Sequence, residues 1–360
     1  MERIYKEIKD RIDRIDFDLL WPGFKQYDFA IYDQYKVCTH NRTFPITEQF
    51  MGNTTIKFEG NQIAIWNISL HDLDDLDLLS AAIIHEMFHA HQMTMGESRF
   101  YNDLDALSYP MEFDNLNLKA NEFIALSEAI NANDYDYMHK LFIDFVTIRN
   151  KRFELIGEDS TYEKSIETVE GTAEYVKLKA LYILNQYSYE KQVSVMTSRL
   201  NSIGLDLLDT RTIAYYSGAL VCLLVDELNL NYKRPIAPNL DFNYDLIGSL
   251  LKMEMNSEME ISQYTEIRDL ILENDKSTIQ CVKDIIENEN VAVIEGDFHV
   301  KGYDPMNMKR IDKFVYHKHF LGISKEDVTE FVLGPMVIET DGKDFKRFFR
   351  YYRVDDEYVS

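Results

Sequence analysis

The stretch from Leu78 to Met95, Leu-Leu-Ser-Ala-Ala-Ile-Ile-His-Glu-Met-Phe-His-Ala-His-Gln-Met-Thr-Met, decides how the chain folds. It is apolar nearly all round, which predicts a helix that is buried on most of its sides. The acidic run from Asp72 to Asp77 precedes it, and carboxylates favour a helix N-terminus. Because polar groups in a buried helix need partners, His85, Glu86 and His89 must find them in the interior.

These three residues form the motif His85-Glu86-Met87-Phe88-His89, whose spacing is that of a metal site. Residues four apart stack on one face of a helix, so the two imidazoles point to one position. Glu86 lies beside that position, where a carboxylate can take a proton from a zinc-bound water. The motif therefore predicts Zn²⁺ bound by His85 and His89, with Glu86 as general base. His91 lies off this face and is expected to be only a neighbour.

A third protein ligand is required if the fourth position of the zinc is to hold water. The helix predicted from Tyr162 to Tyr187 supplies the candidate, because Glu170 borders its apolar stripe most closely. Glu163 and Glu167 lie along the same side, and we expect them on a solvated acidic face. The sequence therefore predicts Glu170 as the third ligand.

Gly171 follows this candidate ligand directly. A glycine inside a helix costs about 1 kcal/mol relative to alanine, so its presence indicates that another backbone approaches closely. The helix that carries His85 is the neighbour we expect there.

The motif His85-Glu86-Met87-Phe88-His89 followed by Glu170-Gly171-Thr172-Ala173-Glu174-Tyr175 resembles the HExxH…E zinc peptidases, the gluzincins. The second stretch is similar to the third-ligand helix of their aminopeptidase branch, and the resemblance covers residues from about 55 to 230. It implies a zincin-like metallopeptidase that acts on a peptide or protein substrate. It also implies that Glu170 binds zinc and that Glu174, one turn on, orients a ligand histidine. Endo- and exopeptidase action both remain open.

Gluzincins also stabilise the oxyanion of the tetrahedral intermediate with a downstream tyrosine or histidine. The segment from Arg211 to Ala219 opens a predicted buried helix and offers Arg211, Tyr215 and Tyr216 as donors. Arg211 and Tyr215 lie one turn apart, so both can face one cleft. The sequence does not choose among the three.

A β-hairpin is predicted shortly before the metal motif, because Thr54–Phe58 and Gln62–Ile68 flank the turn Glu59-Gly60-Asn61. Peptidases of this kind usually place an edge strand at this point of the chain. By this resemblance the strand Gln62–Ile68 would lie at a sheet edge, where it can pair with an extended substrate. The alternative that it is ordinary core β-structure stays open.

Two other functions fit parts of the pattern. Glu86 and His89 form an ExxH unit of the di-iron helix bundles, but no other histidine has a glutamate three residues before it, as a second unit would require. A non-catalytic, regulatory metal-binding protein could keep the same scaffold. Glu86 argues against it, because a structural zinc site needs no general base. His317 and His319 alternate as in a strand, and we expect them to be a surface feature.

The composition predicts a folded, strongly acidic protein. Its 46% hydrophobic and 13% aromatic residues are far above the level of disordered chains. A net charge of −24, spread along the chain, makes nucleic acid and anionic membranes poor partners. We therefore expect neither nucleic acid nor membrane as a partner.

The sequence is typical of a soluble cytoplasmic protein. Cys38, Cys222 and Cys281 are odd in number and widely spaced, which favours a reducing compartment. The first ten residues are charged throughout and lack the apolar run of a signal peptide. The longest uncharged apolar stretch, Thr212–Val225, is shorter than the roughly 18 residues of a membrane span.

The pattern along the chain predicts an α+β fold with a mainly helical catalytic domain, a small N-terminal β-sheet and a β-rich C-terminal region. The resemblance implies that the helical domain is zincin-like. The expected parts are a metallopeptidase domain at 1–235, a helical connection at 236–290 and a β-rich region at 291–360. The further predicted helices are 1–20, 115–132, 135–156, 210–228, 246–255 and 264–287. The further predicted strands are 291–300, 314–321, 331–339 and 345–354.

Overall fold

A computed structural model of the chain describes residues 1–70, 73–251, 260–325 and 328–354. Within these ranges the fold is α+β, as predicted, with a small sheet near the N-terminus and an antiparallel sheet in the C-terminal part. Asp72 of the predicted acidic run lies outside the described residues. So does the part of the predicted helix 246–255 that follows Leu251.

The chain divides into two compact units, each built from two segments. Met1–Tyr101 and Leu118–Ser262 form the larger unit, and Asn102–Asn117 and Gln263–Ser360 form the smaller one. Within the part of the chain that the structure describes, no helix is long and apolar enough to cross a membrane.

The units begin and end at other residues than the expected parts 1–235, 236–290 and 291–360. The reason is a hydrophobic core that sequence pattern does not reveal. Leu104 and Leu107 are buried in one cluster with Phe298, which ties their segment to the C-terminal sheet.

The sheet of the larger unit has five strands in the order β3-β2-β1-β5-β4. Their bounds are β1 Phe29–Tyr32, β2 Lys36–Cys38, β3 Thr43–Pro45, β4 Thr54–Phe58 and β5 Asn61–Asn67. The hairpin prediction is confirmed: β4 and β5 pair antiparallel, and Glu59 and Gly60 have φ of 49° and 92° in the turn. Positive φ at both positions is the type I′ turn that matches strand twist.

The expectation of an edge strand at Gln62–Ile68 is wrong. That segment is β5, which lies between β1 and β4 and pairs with both. β1 runs parallel to β5, a long-range pairing that the hairpin pattern does not show. β4 is the edge strand next to it.

The helices follow the predictions closely, with local departures. The predicted first helix is two helices, because Asp16 caps a new one by accepting from the Asp18 N–H. The bounds are α1 Glu2–Ile12, α2 Phe17–Leu20, α3 Leu76–Thr94, α4 Phe113–Asn131, α5 Tyr135–Ile156, α6 Ser160–Ile166, α7 Thr172–Leu184, α8 Gln186–Leu200, α9 Thr210–Glu227, α10 Asn243–Leu251 and α11 Glu266–Ile286.

One departure concerns the helix predicted at 162–187. It contains one wide turn of π-helix, Glu167–Gly171, between α6 and α7, and it ends at Leu184. Asn185 breaks it with an extended backbone and caps α8, where its side chain accepts from the Ser188 N–H at 3.1 Å. We call Glu167–Gly171 the π turn.

The smaller unit holds a seven-stranded antiparallel sheet in the order β10-β9-β6-β12-β11-β8-β7. The bounds are β6 Val291–Tyr303, β7 Met308–Ile311, β8 Phe314–His317, β9 Phe320–Lys325, β10 Val328–Leu333, β11 Met336–Glu339 and β12 Arg347–Val354. The strands predicted at 314–321 and 331–339 are each two strands, and Gly334, with φ of 88°, lies between the second pair. A tight turn inside each predicted strand explains both errors.

His317 and His319 do not form a surface pair. His317 is buried with 1% exposure, and among the described residues neither of its ring nitrogens has a hydrogen-bond partner. His319 is exposed, and its Nδ1 lies 2.6 Å from Asp304 Oδ2. Burial lowers the pKa of His317 to about 4, because no nearby group compensates a charge there.

The buried His317 should make stability depend on pH. Its pKa is lower in the folded than in the unfolded protein, so stability is lost as pH falls from about 6.5 towards 4. We expect a loss of roughly 2–3 kcal/mol between pH 7 and pH 4.5 that the variant His317→Leu does not show. Urea unfolding at the two pH values measures it.

The control for this experiment is His299→Leu, which changes an exposed histidine of β6 in the same sheet. It should keep the pH dependence of the wild type. Equal pH dependence in His317→Leu and wild type would contradict the assignment to His317.

Candidate metal centre

The helix α3 presents two histidines to the interior of the larger unit. Asp75 caps its start by accepting a hydrogen bond from the Leu78 N–H at 2.9 Å. The helix packs against β4 and β5, α1 and α7, which explains why it is apolar nearly all round. His85 and His89, one turn apart, both project towards the π turn and the start of α7.

Three possible metal ligands converge at this place. His89 Nε2 lies 3.0 Å from His85 Nε2 and 3.0 Å from Glu170 Oε2, and His85 Nε2 lies 3.5 Å from the same carboxylate oxygen. Two ligands at about 2.05 Å from a tetrahedral zinc lie about 3.3 Å apart, so the three distances fit such an ion. The structure brings His85, His89 and Glu170 together as the sequence predicts.

The charges around this point favour a cation. Burial lowers the pKa of His85, but the carboxylates of Glu170 and Glu174 outweigh it and raise that pKa to about 10. Burial raises the pKa of Glu170, yet the nearby His89 and His85 hold it well below its usual range. The centre is therefore electrostatically prepared for positive charge, which a divalent ion would supply.

A polar side chain lies behind each histidine ring, and the one behind His89 is hydrogen-bonded to it. Glu174 Oε2 lies 3.2 Å from His85 Nδ1, the place that the resemblance assigns to it. Gln92 Oε1 lies 2.8 Å from His89 Nδ1, and Gln92 Nε2 donates to the Val169 carbonyl at 2.9 Å. A proton held on each Nδ1 leaves each Nε2 lone pair directed at the metal position.

Glu170 owes its position to the π turn and to two glycines. A Cβ atom on Gly171 would lie 2.7 Å from Gly218 Cα of α9, and one on Gly218 would lie 2.8 Å from the Glu167 carbonyl oxygen. No side chain fits between these backbones. The close approach predicted at Gly171 is therefore present, but the neighbour is α9 and not the helix of His85, because α9 is the helix that crosses the π turn at a glycine.

Glu86 is partly buried and lies near enough to His85 and His89 for its charge to raise the pKa of both. Among the described residues it makes no hydrogen bond and no ion pair. A carboxylate without a protein partner next to a metal position can accept a proton from a bound water.

A tyrosine that the sequence analysis missed joins the metal centre to α9. Tyr101 donates its hydroxyl hydrogen to Glu170 Oε1 at 2.7 Å and accepts a hydrogen bond from Arg211 Nη2 at 2.9 Å. Tyr215 has its hydroxyl 3.5 Å from that of Tyr101, and the Arg211 guanidinium lies 5.2 Å from the Tyr215 ring. Arg211 and Tyr215 therefore share one cleft, as their spacing predicts.

Tyr216 belongs to a different set of contacts. Its hydroxyl accepts from Arg199 Nη1 at 2.8 Å, and Arg199 also pairs with Asp206 at 2.5 Å. The Tyr216 hydroxyl therefore does not belong to the group of contacts formed by Arg211 and Tyr101. Consecutive residues of a helix point about 100° apart, which explains the separation from Tyr215.

The expectation that Glu163 and Glu167 are solvated is wrong, because both are buried in a network of ion pairs. Arg149 donates to Glu167 Oε1 at 2.8 Å, and Arg152 donates to Glu163 Oε2 at 2.6 Å. The network contains three cations and three carboxylates: Lys119, Arg149, Arg152, Glu122, Glu163 and Glu167. The sequence shows an acidic stripe, but the compensating cations come from α4 and α5.

Sequence reasoning also missed Gln92. The spacing gives a weak indication of its role, because Gln92 lies three residues after His89 and so near the same face of the helix. Tyr101 gave no such signal, since it follows the helix in an irregular segment. His91 lies away from the metal position, 5.3 Å from the Phe24 ring, as expected.

Comparisons with known protein families, with curated proteins and with solved structures find no match for this chain.

The contact between the π turn and α9 can be tested with Gly218→Ala. The added methyl must push the two backbones apart, which should lower the free energy of unfolding by about 1–3 kcal/mol. It should also weaken zinc binding, because Glu170 moves with the π turn. Urea unfolding of the metal-free protein and competition with a chromophoric chelator measure the two effects.

Gly248→Ala is the matched control, because a Cβ atom at this glycine of α10 meets open space. It should leave zinc affinity unchanged and alter stability by less than about 1 kcal/mol. Wild-type zinc affinity in Gly218→Ala would contradict the role given to the contact.

Proposed function

We propose that this protein is a zinc-dependent peptidase with the metal held by His85, His89 and Glu170. The observation that carries the proposal is the convergence of these ligands beside Glu86, a carboxylate with no hydrogen bond or ion pair among the described residues. A metal site with only a structural role has no use for such a group. The motif residues that resemble the gluzincins support the same reaction.

The donor set favours zinc over other ions. Two imidazole nitrogens and one carboxylate oxygen, completed by a water, are the ligands of hydrolytic zinc sites. Mg²⁺ and Ca²⁺ prefer oxygen ligands alone. When bound, zinc would polarise a water molecule and the carbonyl of the substrate.

Glu86 is the proposed general base. Its carboxylate takes a proton from the attacking water and delivers it to the amine that leaves when the peptide bond breaks. Proton and electron pair both end on the leaving nitrogen, so the reaction is a hydrolysis that needs no further reactant.

The proposed oxyanion donors are Arg211 and Tyr215 of α9. Both lie beside Tyr101, which in turn contacts Glu170. Tyr101 is not itself a donor, because its one hydroxyl hydrogen already bonds Glu170. Tyr216 is a weaker candidate, since its hydroxyl contacts Arg199 and not Arg211 or Tyr101.

An extended peptide is the proposed substrate. β4 is an edge strand, and the chain enters α3 soon after the hairpin that β4 and β5 form. Pairing with an edge strand uses backbone groups alone and therefore tolerates many side chains.

The variant Glu86→Gln tests the proposal. It should bind zinc as the wild type does, because the ligands are unchanged, but it should cleave fluorogenic peptides about 10²–10⁴-fold more slowly. Metal analysis together with kcat on a peptide panel measures both quantities.

Glu154→Gln, at an exposed position of α5, is the control and should keep wild-type activity. Normal cleavage by Glu86→Gln would refute the base assignment. Zinc binding by a wild type that cleaves no peptide would instead support the non-catalytic alternative.

A further inference from the structure

A pocket lies directly beside the proposed metal centre. It has a volume of about 250 Å³ and is lined by residues of α7, α8 and α9. Glu174 belongs both to the pocket and to the centre, because one oxygen of its carboxylate lies 3.2 Å from His85 Nδ1. Tyr215 lines the pocket as well, and its hydroxyl lies 3.5 Å from that of Tyr101. The pocket therefore adjoins the centre through the side chains of Glu174 and Tyr215.

The lining is rich in hydrogen-bond donors. Lys177 and Arg211 are its cations, and Gln192, Thr212 and the two tyrosines add amide and hydroxyl groups. Val195 and Met196 of α8 form an apolar part of the wall. A group that accepts several hydrogen bonds and carries negative charge fits this lining best.

The acidic residue of the lining does not cancel this preference. Glu174 Oε1 accepts a hydrogen bond from Lys177 Nζ at 2.7 Å, and its other oxygen faces His85. The charge of Lys177 therefore offsets the charge of Glu174. The charge of Arg211 remains and makes the lining positive.

Lys177 can bind a further acceptor. An ammonium group has three N–H donors, and the bond to Glu174 uses one of them. Its side chain is 18% exposed, which gives a ligand access. The Lys177 side chain therefore contacts Glu174, which lies beside the candidate ligand His85, and also lines the pocket.

We propose that this pocket binds a carboxylate of the substrate, with Lys177 as its main partner. The inference rests on the proposed peptidase function and names the substrate class. The carboxylate is either an aspartate or glutamate side chain near the cleaved bond or the C-terminus of the peptide. The net charge of −24 repels anions at long range, so recognition depends on short hydrogen bonds to the two cations.

Binding to zinc-loaded Glu86→Gln protein tests this pocket without turnover. The probes are matched peptides that carry Glu or Gln at each position around the expected cleavage site, each with a free or an amidated C-terminus. Isothermal titration calorimetry should show about tenfold tighter binding where the carboxylate is present, since one charge-assisted hydrogen bond is worth about that factor. The position of the effect distinguishes the side chain from the C-terminus.

The additional change Lys177→Gln should reduce this tenfold ratio to about one, while Lys177→Arg should keep most of it. The matched control is Lys179→Gln on the same helix, because Lys179 pairs with Asp226 and does not line the pocket. It should leave the ratio unchanged. Zinc content and thermal unfolding of each variant show that the centre and the fold persist.

The outcomes separate this inference from the proposed function. Equal affinity for all matched peptides, or a ratio that Lys177→Gln leaves intact, would overturn the carboxylate pocket. A wild-type protein that hydrolyses no peptide, while the ratio and its dependence on Lys177 remain, would refute the peptidase and leave the pocket standing. Peptide cleavage without any preference for a carboxylate would support the peptidase and overturn the carboxylate pocket.

Discussion

Gly171 and Gly218 bring the π turn and α9 into direct backbone contact, and the candidate centre depends on this contact. A methyl group on either glycine would come within 2.7–2.8 Å of backbone atoms of the other segment. One partner of this contact follows Glu170, and the other lies one turn after Tyr215. The same approach thus brings Glu170, a candidate metal ligand, close to the start of α9, and Tyr101 bridges Glu170 to Arg211 there.

The π turn explains why two nearby glutamates have different surroundings. In an α-helix, residues three apart lie on one face, so Glu167 and Glu170 would point the same way. A π turn holds more residues per turn, so two positions three residues apart no longer lie on one face. Glu167 can therefore face Arg149, while Glu170 faces His85 and His89. Wide turns of this kind occur often at functional sites.

The buried ion network fixes the other side of the π turn. Burying charges costs free energy unless each is paired, and here three cations meet three carboxylates. Ser217 adds a hydrogen bond from its hydroxyl to Glu167 at 2.5 Å, next to the glycine contact. Loss of one charged partner in such a network typically costs about 3–5 kcal/mol. The network therefore constrains where the backbone of Glu170 can lie.

Local pattern in the sequence determined the α+β class, most helices, the β4–β5 hairpin and the pairing of His85 with His89 on one face. These features depend on residues close together in the chain, whose spacing already fixes their relative directions. Only the tertiary structure decided that β5 is internal, that Glu163 and Glu167 are buried, and that Tyr101 and Gln92 contact the candidate metal ligands. Each of those contacts joins segments far apart in sequence, so packing decides it and local pattern does not.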